Sequence, residues 1–310
     1  TGVSRAAAGR VLCSAVEHHA VLSPTEVAGG ATVAVHADGT LDLGALEAIL
    51  TAGPPAALLS VMAANNETGV LQPLDVVADV VARCSPHTVI HTDAVAAAPW
   101  VHLPDHTGPA QLVSISGHKV GGPKGIGALV VRAGTPLAPI LVGGGQEHER
   151  RGGTPNVASA AAFAAALAAT IRDRAETVER VEGLRARLLG GLVRAVPDVV
   201  VASPPERTRR TAGTVMVCFA GVDREALLFS LDQADVAASW GASCSSGATA
   251  PSHVLAAMGV APHLAAGALR LSLGWNSTEA DVDHLLGVLP TVVARLRAGA
   301  DPAPAARLVR

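Results

Sequence analysis

The sequence predicts an α/β fold: a large unit on a mostly parallel sheet, followed by a smaller α+β unit. Three observations carry this reading. Up to about residue 135, short apolar runs alternate with helix-like stretches, the order that lays crossover helices on the faces of a parallel sheet. From Asn156 that alternation gives way to one long helical pattern. Beyond it, strands and helices mix in α+β order. We place the two units at 1–165 and 166–310.

Taken in order, "RVLCSAV" from Arg10 reads as a strand, and "VEHHAVL" from Val16 also reads as strand. "ATVAVH" from Ala31 is the next strand. In "TLDLGALEAIL", Leu43, Leu46, Ile49 and Leu50 share one helical face, with Asp42 or Thr40 as the N-cap. "AALLSVMAA" is a buried strand, and "PLDVVADVVARC" is a helix with Pro73 near its start. "TVIHTDA", "AQLVSISG" and "IGALVVR" are three more strands. The long pattern "NVASAAAFAAALAATIRDRAETVERVEGLRARLLGGLVRAV" passes from an Ala-rich half to a charged half, as a helix bridging two units would. "GTVMVCFAG", "REALLFSLDQ", "DVAAS", "PSHVLAAMG", "ALRLSLG" and "TEADVDHLLGVLPTVVARLRA" complete the second unit. The tail "GADPAPAARLVR" is expected to fray.

Composition narrows the function. The 310 residues are 49% hydrophobic and 16% charged, which excludes a disordered chain. With three Trp, three Phe and no Tyr, the core must be built from Ala, Val and Leu. A net charge of -3 argues against nucleic acid as a partner, since phosphate neutralisation needs a basic surface. The best apolar run, Ala160 to Ala169, falls well short of the ~20 residues a membrane span needs. There is no signal-peptide pattern, so a cytoplasmic location is expected. Cys13, Cys84, Cys218 and Cys244 show neither CxxC pairing nor zinc spacing and read as reduced thiols. The histidines outside the motifs below have no metal spacing and read as surface or satisfied core residues. Trp100, Trp240 and Trp275 read as packing residues.

In open α/β sheets, ligands bind beyond the carboxyl ends of the strands. "TVIHTDA" ends in Asp93, "AQLVSISGHK" in Ser116, His118 and Lys119, and "SVMAANNETG" in Asn65, Asn66 and Glu67. Each ending alone suits a cap or a turn, but three of them converge. Lys119 follows a histidine inside the glycine-rich "SISGHKVGGPKG". A lysine and an aspartate on neighbouring strand ends suit pyridoxal 5′-phosphate (PLP), which needs an amine for attachment and a carboxylate to keep its ring nitrogen protonated. Ser116 and the flanking glycines would supply donors for the phosphate.

With these motifs in view, the chain resembles the NifS-like cysteine desulfurases, class V aminotransferases of PLP fold type I. The resemblance rests on "VEHHAVL", "MAANNETGVLQPL", "HTDAV", "SGHKVGGPKGIGAL", "GGGQEHERRGGTPNVAS", "SCSSGATAPSHVLAAMG" and "LRLSLGWNSTEADVD", in the family's order over nearly the whole chain. It implies that Lys119 carries the cofactor through its amine, that Asp93 pairs with the ring nitrogen, and that His18 stacks over the ring. It further implies that Asn66 approaches the ring hydroxyl and that Ser116 and His118 hold the phosphate. Thr154 would reach the phosphate of a neighbouring subunit, which implies a homodimer. Arg270 would bind the carboxylate of the substrate, L-cysteine. Cys244, in the small and polar "GASCSSGATAP", would take the sulfur as a persulfide, release L-alanine and pass the sulfur to an acceptor protein.

The sequence departs from the resemblance in places. The family carries a segment ahead of "VEHHAVL" whose backbone binds the cofactor phosphate, and that segment is not in this sequence. Ala96 stands where the family has a glutamine directed at the ring hydroxyl. Trp240 stands where a small or hydroxyl residue is preferred, and Gly152 where serine is common. Two further readings therefore stay open: a truncated, non-catalytic homologue acting as an interaction or dimerisation partner, and a related selenocysteine lyase. The destination of the sulfur is equally open among iron–sulfur cluster assembly, tRNA thiolation and a specialised pathway.

Overall fold

The computed structural model describes residues 9–241 and 252–299. Strands β1 (Arg10–Ser14), β2 (Ala31–Val33), β3 (Ala56–Ser60), β4 (Val89–Asp93), β5 (Leu112–Ser116) and β6 (Gly127–Val131) form one sheet in the order β2-β1-β3-β4-β5-β6. Neighbours from β2 to β5 run parallel, and β6 is antiparallel to β5. Helices α1 (His19–Val27), α2 (Leu43–Thr51), α3 (Leu74–Cys84) and α4 (Leu103–Thr107) connect the strands. This is the alternation expected of a parallel sheet.

Strand parity separates two faces. Leu12, Leu59, Ile90 and Val113 point to one side, where they pack against Leu46 and Leu50 of α2 and Val77, Val80 and Val81 of α3. Val11, Leu58, Val89 and Leu112 point to the other side and form a smaller cluster. Along that second face the side chains turn polar toward the strand ends: Ser60, His91, Asp93, Ser114 and Ser116 follow at every second position. The parity that buries the amino-terminal half thus aims a polar row at the carboxyl ends.

The caps follow side-chain chemistry. Asp42 is the N-cap of α2, its Oδ1 accepting from Ala45 N at 3.0 Å. Pro73 precedes α3, where a missing N–H costs nothing. One expectation is corrected. "VEHHAVL" is not a strand: β1 stops at Ser14, the chain turns, and His18 caps α1 with Nδ1 accepting from Ala20 N at 3.1 Å. No partner strand continues beyond Ser14, because β2 and β3 pair with β1 only as far as that residue.

Helix α5 (Val157–Ala195) leads from this sheet to a second one. The expected division at 165/166 lies inside it. Near its start Phe163 packs with Ala98 and Val120, and further along Leu184, Leu188 and Leu192 enter another core. That core covers the antiparallel sheet β7 (Val200–Val201), β8 (Thr214–Cys218) and β9 (Ala268–Ser272). Helices α6 (Arg224–Asp232), α7 (His253–Ala257), α8 (Pro262–Ala265) and α9 (Glu279–Gly299) complete the region. "DVAAS" forms no separate strand. Its Ser239 makes an isolated bridge to Arg270.

The other packing expectations divide. Cys13 and Cys218 are buried, and burial pushes both thiols up to about 11; Cys84 is half-buried. Trp275 is 75% exposed and is not a packing residue, because it lies in the turn after β9. Trp240 lies under the Arg224 guanidinium, 5.2 Å from the ring centre.

Candidate active site

A cavity of about 810 Å³ opens where the segments after β4 and β5 face α5 and the start of β8. Asn66, His118, Lys119 and Arg270 all line it. Each arrives on a different piece of the fold. Asn66 follows β3, and His118 and Lys119 sit on the single 3₁₀ turn Gly117–Val120 after β5. Arg270 stands in the middle of β9. Gly121 ends the 3₁₀ turn at φ 80°, a conformation glycine takes without strain. Gly117 lets the backbone close on itself, since a Cβ there would lie 3.0 Å from Pro123 O.

Asp93 ends β4, is buried, and accepts from Val95 N at 2.9 Å through Oδ1. His18 lies within electrostatic reach of both Asp93 and Lys119. Burial pushes its imidazole below the usual range, Asp93 pulls the other way, and His19, Lys119 and His253 add to the lowering. The neutral ring is therefore favoured. Because Nδ1 accepts a backbone N–H, the neutral ring carries its proton on Nε2. Ser116 Oγ and His118 Nδ1 are 2.7 Å apart. His91, two residues before Asp93 on the same face, bridges neighbouring strands, with Nδ1 2.7 Å from Ser60 Oγ and Nε2 2.8 Å from Ser114 Oγ.

Two residues stand apart. Thr154 is exposed on the segment before α5 and does not line this cavity. Cys244 lies outside the described residues, although the residues flanking that span, Gly241 and Ser252, sit close to Glu67. Ala96 does line the cavity, at the position where the resemblance implies a glutamine, and it has no polar group to offer.

Part of the wall went unread in the sequence. Ala166, Thr170, Asp173, Thr177 and Arg180 of α5 line the cavity at helical spacing. That stripe of small and polar residues was the available signal. Trp100, read as packing, does pack: it is pressed against Gly213, where a Cβ would lie 2.3 Å from its ring, and both residues line the cavity.

Comparison with known proteins identifies the family. The aminotransferase class-V family matches residues 4–285. An IscS-like cysteine desulfurase of Mycobacterium tuberculosis is 39% identical over 297 residues, 94% of this chain and 75% of that protein. A cysteine desulfurase of Gluconacetobacter diazotrophicus is 39% identical over 300 residues, 95% and 74% of the two chains. Among solved structures, a NifS-like protein superposes with a TM-score of 0.85 at 29% identity, covering 95% of this chain and 78% of that one. The family match over most of the chain and these relatives lead to one conclusion: the chain belongs to the class-V aminotransferase family, among its cysteine desulfurases.

Proposed function

We propose that the protein is a PLP-dependent cysteine desulfurase that converts L-cysteine to L-alanine and passes the sulfur, by way of Cys244, to an acceptor protein. The observation that carries this reading is the gathering of Lys119, Asn66, His118 and Arg270 around one cavity, with Asp93 buried at the end of a neighbouring strand and His18 within electrostatic reach of Asp93 and Lys119. The donor set suits PLP: an amine, a buried carboxylate, and a hydroxyl–imidazole pair for a phosphate. Lys119, Asp93, Asn66, Ser116 and His118 would hold it, with Thr154 serving the site of a second subunit. When bound, PLP would supply an electron sink for the pair released when the substrate's Cα–H bond breaks.

The chain's own residues account for the remaining work. The planar guanidinium of Arg270 takes the substrate carboxylate. Nε2 of His18, the ring nitrogen not occupied by the Ala20 N–H, would hold a proton within reach of Asp93 and Lys119. The Cys244 thiolate attacks the substrate sulfur: an S–S bond forms, the Cβ–S bond breaks, and its electron pair with a proton completes the methyl group of alanine.

The test is visible absorption with PLP together with alanine and sulfide output from L-cysteine. The reading expects a cofactor band lost in Lys119→Ala, and sulfide lost but the band kept in Cys244→Ala. Absence of a band in the unaltered protein would favour the interaction-partner reading. Turnover of selenocysteine alone would favour the lyase.

A further inference from the structure

Glu67 is a buried carboxylate for which the proposed reaction has no use. It is 2% exposed and lies one residue beyond Asn66. One hydrogen bond, one close approach and one neighbouring charge define its setting. Ser252 Oγ, on the N-cap residue of α7, donates to Glu67 Oε2 at 2.5 Å. Gly241, at φ +104°, leaves room for the same oxygen: a Cβ there would sit 2.4 Å from Oε2. Arg270 is near enough for its charge to act on the carboxylate, and its Nη1 donates to Gly241 O and to Asn66 O, each at 3.3 Å. Backbone bonds between Ser239 and Arg270 fix Gly241 to the same stretch of β9. Gly241 and Ser252 bound the span that contains Cys244.

We propose that Glu67 is a positioning residue that fixes both flanks of the Cys244-bearing span, Gly241 and Ser252, against the substrate-binding Arg270. The inference rests on the desulfurase reading for its consequence in turnover. One oxygen receives the Ser252 hydroxyl and fills the space a side chain at 241 would take, so the flanks are held at one point next to the arginine. Burial pushes the Glu67 carboxyl up, against the opposing pull of Ser252, Arg270 and His19. An amide is therefore a close replacement: Glu67→Gln keeps an acceptor for Ser252, whereas Glu67→Ala removes it and empties the space beside Gly241.

The experiment compares the PLP-loaded protein with Glu67→Gln, Glu67→Ala and Ser252→Ala. It reads alanine formation, the cofactor band, and the rate at which iodoacetamide alkylates Cys244, resolved by mass spectrometry from the other cysteines. In Glu67→Ala we expect an unchanged band, kcat lowered about tenfold or more, as leaving the buried Ser252 hydroxyl without its acceptor implies, and Cys244 alkylated at least ~3-fold faster as its flanks come loose. Glu67→Gln recovers most of both effects. Ser252→Ala reproduces the faster alkylation with Glu67 in place, which covers the case of a misfolded Glu67→Ala. Wild-type alkylation in Glu67→Ala and Ser252→Ala overturns the proposal, as does a Glu67→Gln no better than Glu67→Ala. If the unaltered protein makes no alanine, the desulfurase reading fails, and the alkylation rates still decide the role of Glu67.

Discussion

Glu17 is wholly buried, one residue before His18, and its Oε1 accepts from Met62 N. Its Oε2 has no hydrogen-bond partner among the described residues. Burial pushes the carboxyl well above its usual range; the Met62 bond opposes this and nearby Asp93 adds to it. A group with a raised folded-state value is favoured below its unfolded value, near 4.5, and that contribution is lost as the pH climbs through the folded value. Glu17→Gln, which keeps the acceptor and cannot ionise, should therefore stabilise the protein at pH 8 and do little at pH 5. The shift in Tm at pH 8 should be about 2–4 °C for each kcal/mol of ionisation penalty relieved. Thermal unfolding at the two pH values decides the point, and an equal shift at both would show that Glu17 is not the titrating group. None of this was legible in the sequence, where Glu17 is merely the residue before a histidine. Lys119 and Asp93 were legible because a lysine and an aspartate on neighbouring strand ends suit one cofactor, whereas Arg270, in the middle of β9, was legible only through the family resemblance.

At the scale of elements, the contact between Trp100 and Gly213 joins the segment after β4 to the residue that leads into β8, the central strand of the second sheet. Gly213 O also accepts from Leu273 N at 2.8 Å, so its backbone is pinned from both sides. A Cβ would lie 2.3 Å from the Trp100 ring and 2.4 Å from Leu273 O. Gly213→Ala should cost about 1–3 kcal/mol in urea unfolding, as overpacking does, and should slow turnover by shifting a wall of the cavity. A fully stable variant would mean that Trp100 swings away freely. The strands of the first sheet were readable because buried parallel strands are nearly continuous apolar runs between turn residues. Helix α1 was misread for the converse reason: Thr25 is its one buried residue, so its sequence carries no apolar stripe. The cavity face of α5 was missed because alanine and threonine at helical spacing look like filler until a facing strand end gives them something to enclose.

At the scale of the whole molecule, one region presents apolar side chains that the described residues leave exposed. Four of the five residues of β6 are exposed, and its far edge has no partner strand. Ile140, Leu141 and Val142 follow, with Val142 83% exposed, and Val157 at the head of α5 is 72% exposed. Between them Glu147, His148 and Glu149 hold φ values of 51°, 53° and 63°, left-handed conformations that persist where surroundings impose them. All three are exposed among the described residues, which leaves room for a second subunit to supply those surroundings. Thr154 lies in the same region, which is where a residue serving a second subunit's site would have to be. Clustered exposed apolar residues of this kind mark interfaces, and a stable one buries on the order of 1,600 Å² in total. We therefore predict a homodimer through this face. Sedimentation of the PLP-loaded protein should give a dimer at micromolar concentration, and Ile140→Asp with Val142→Asp should convert it to monomers. Because Lys119, Asp93 and Arg270 all come from one chain, those monomers should keep the lysine-dependent absorption band while binding PLP more weakly, having lost the partner's Thr154. Monomeric behaviour of the unaltered protein would exclude the dimer. Full PLP affinity in the Asp variants would show instead that Thr154 contributes nothing across the interface.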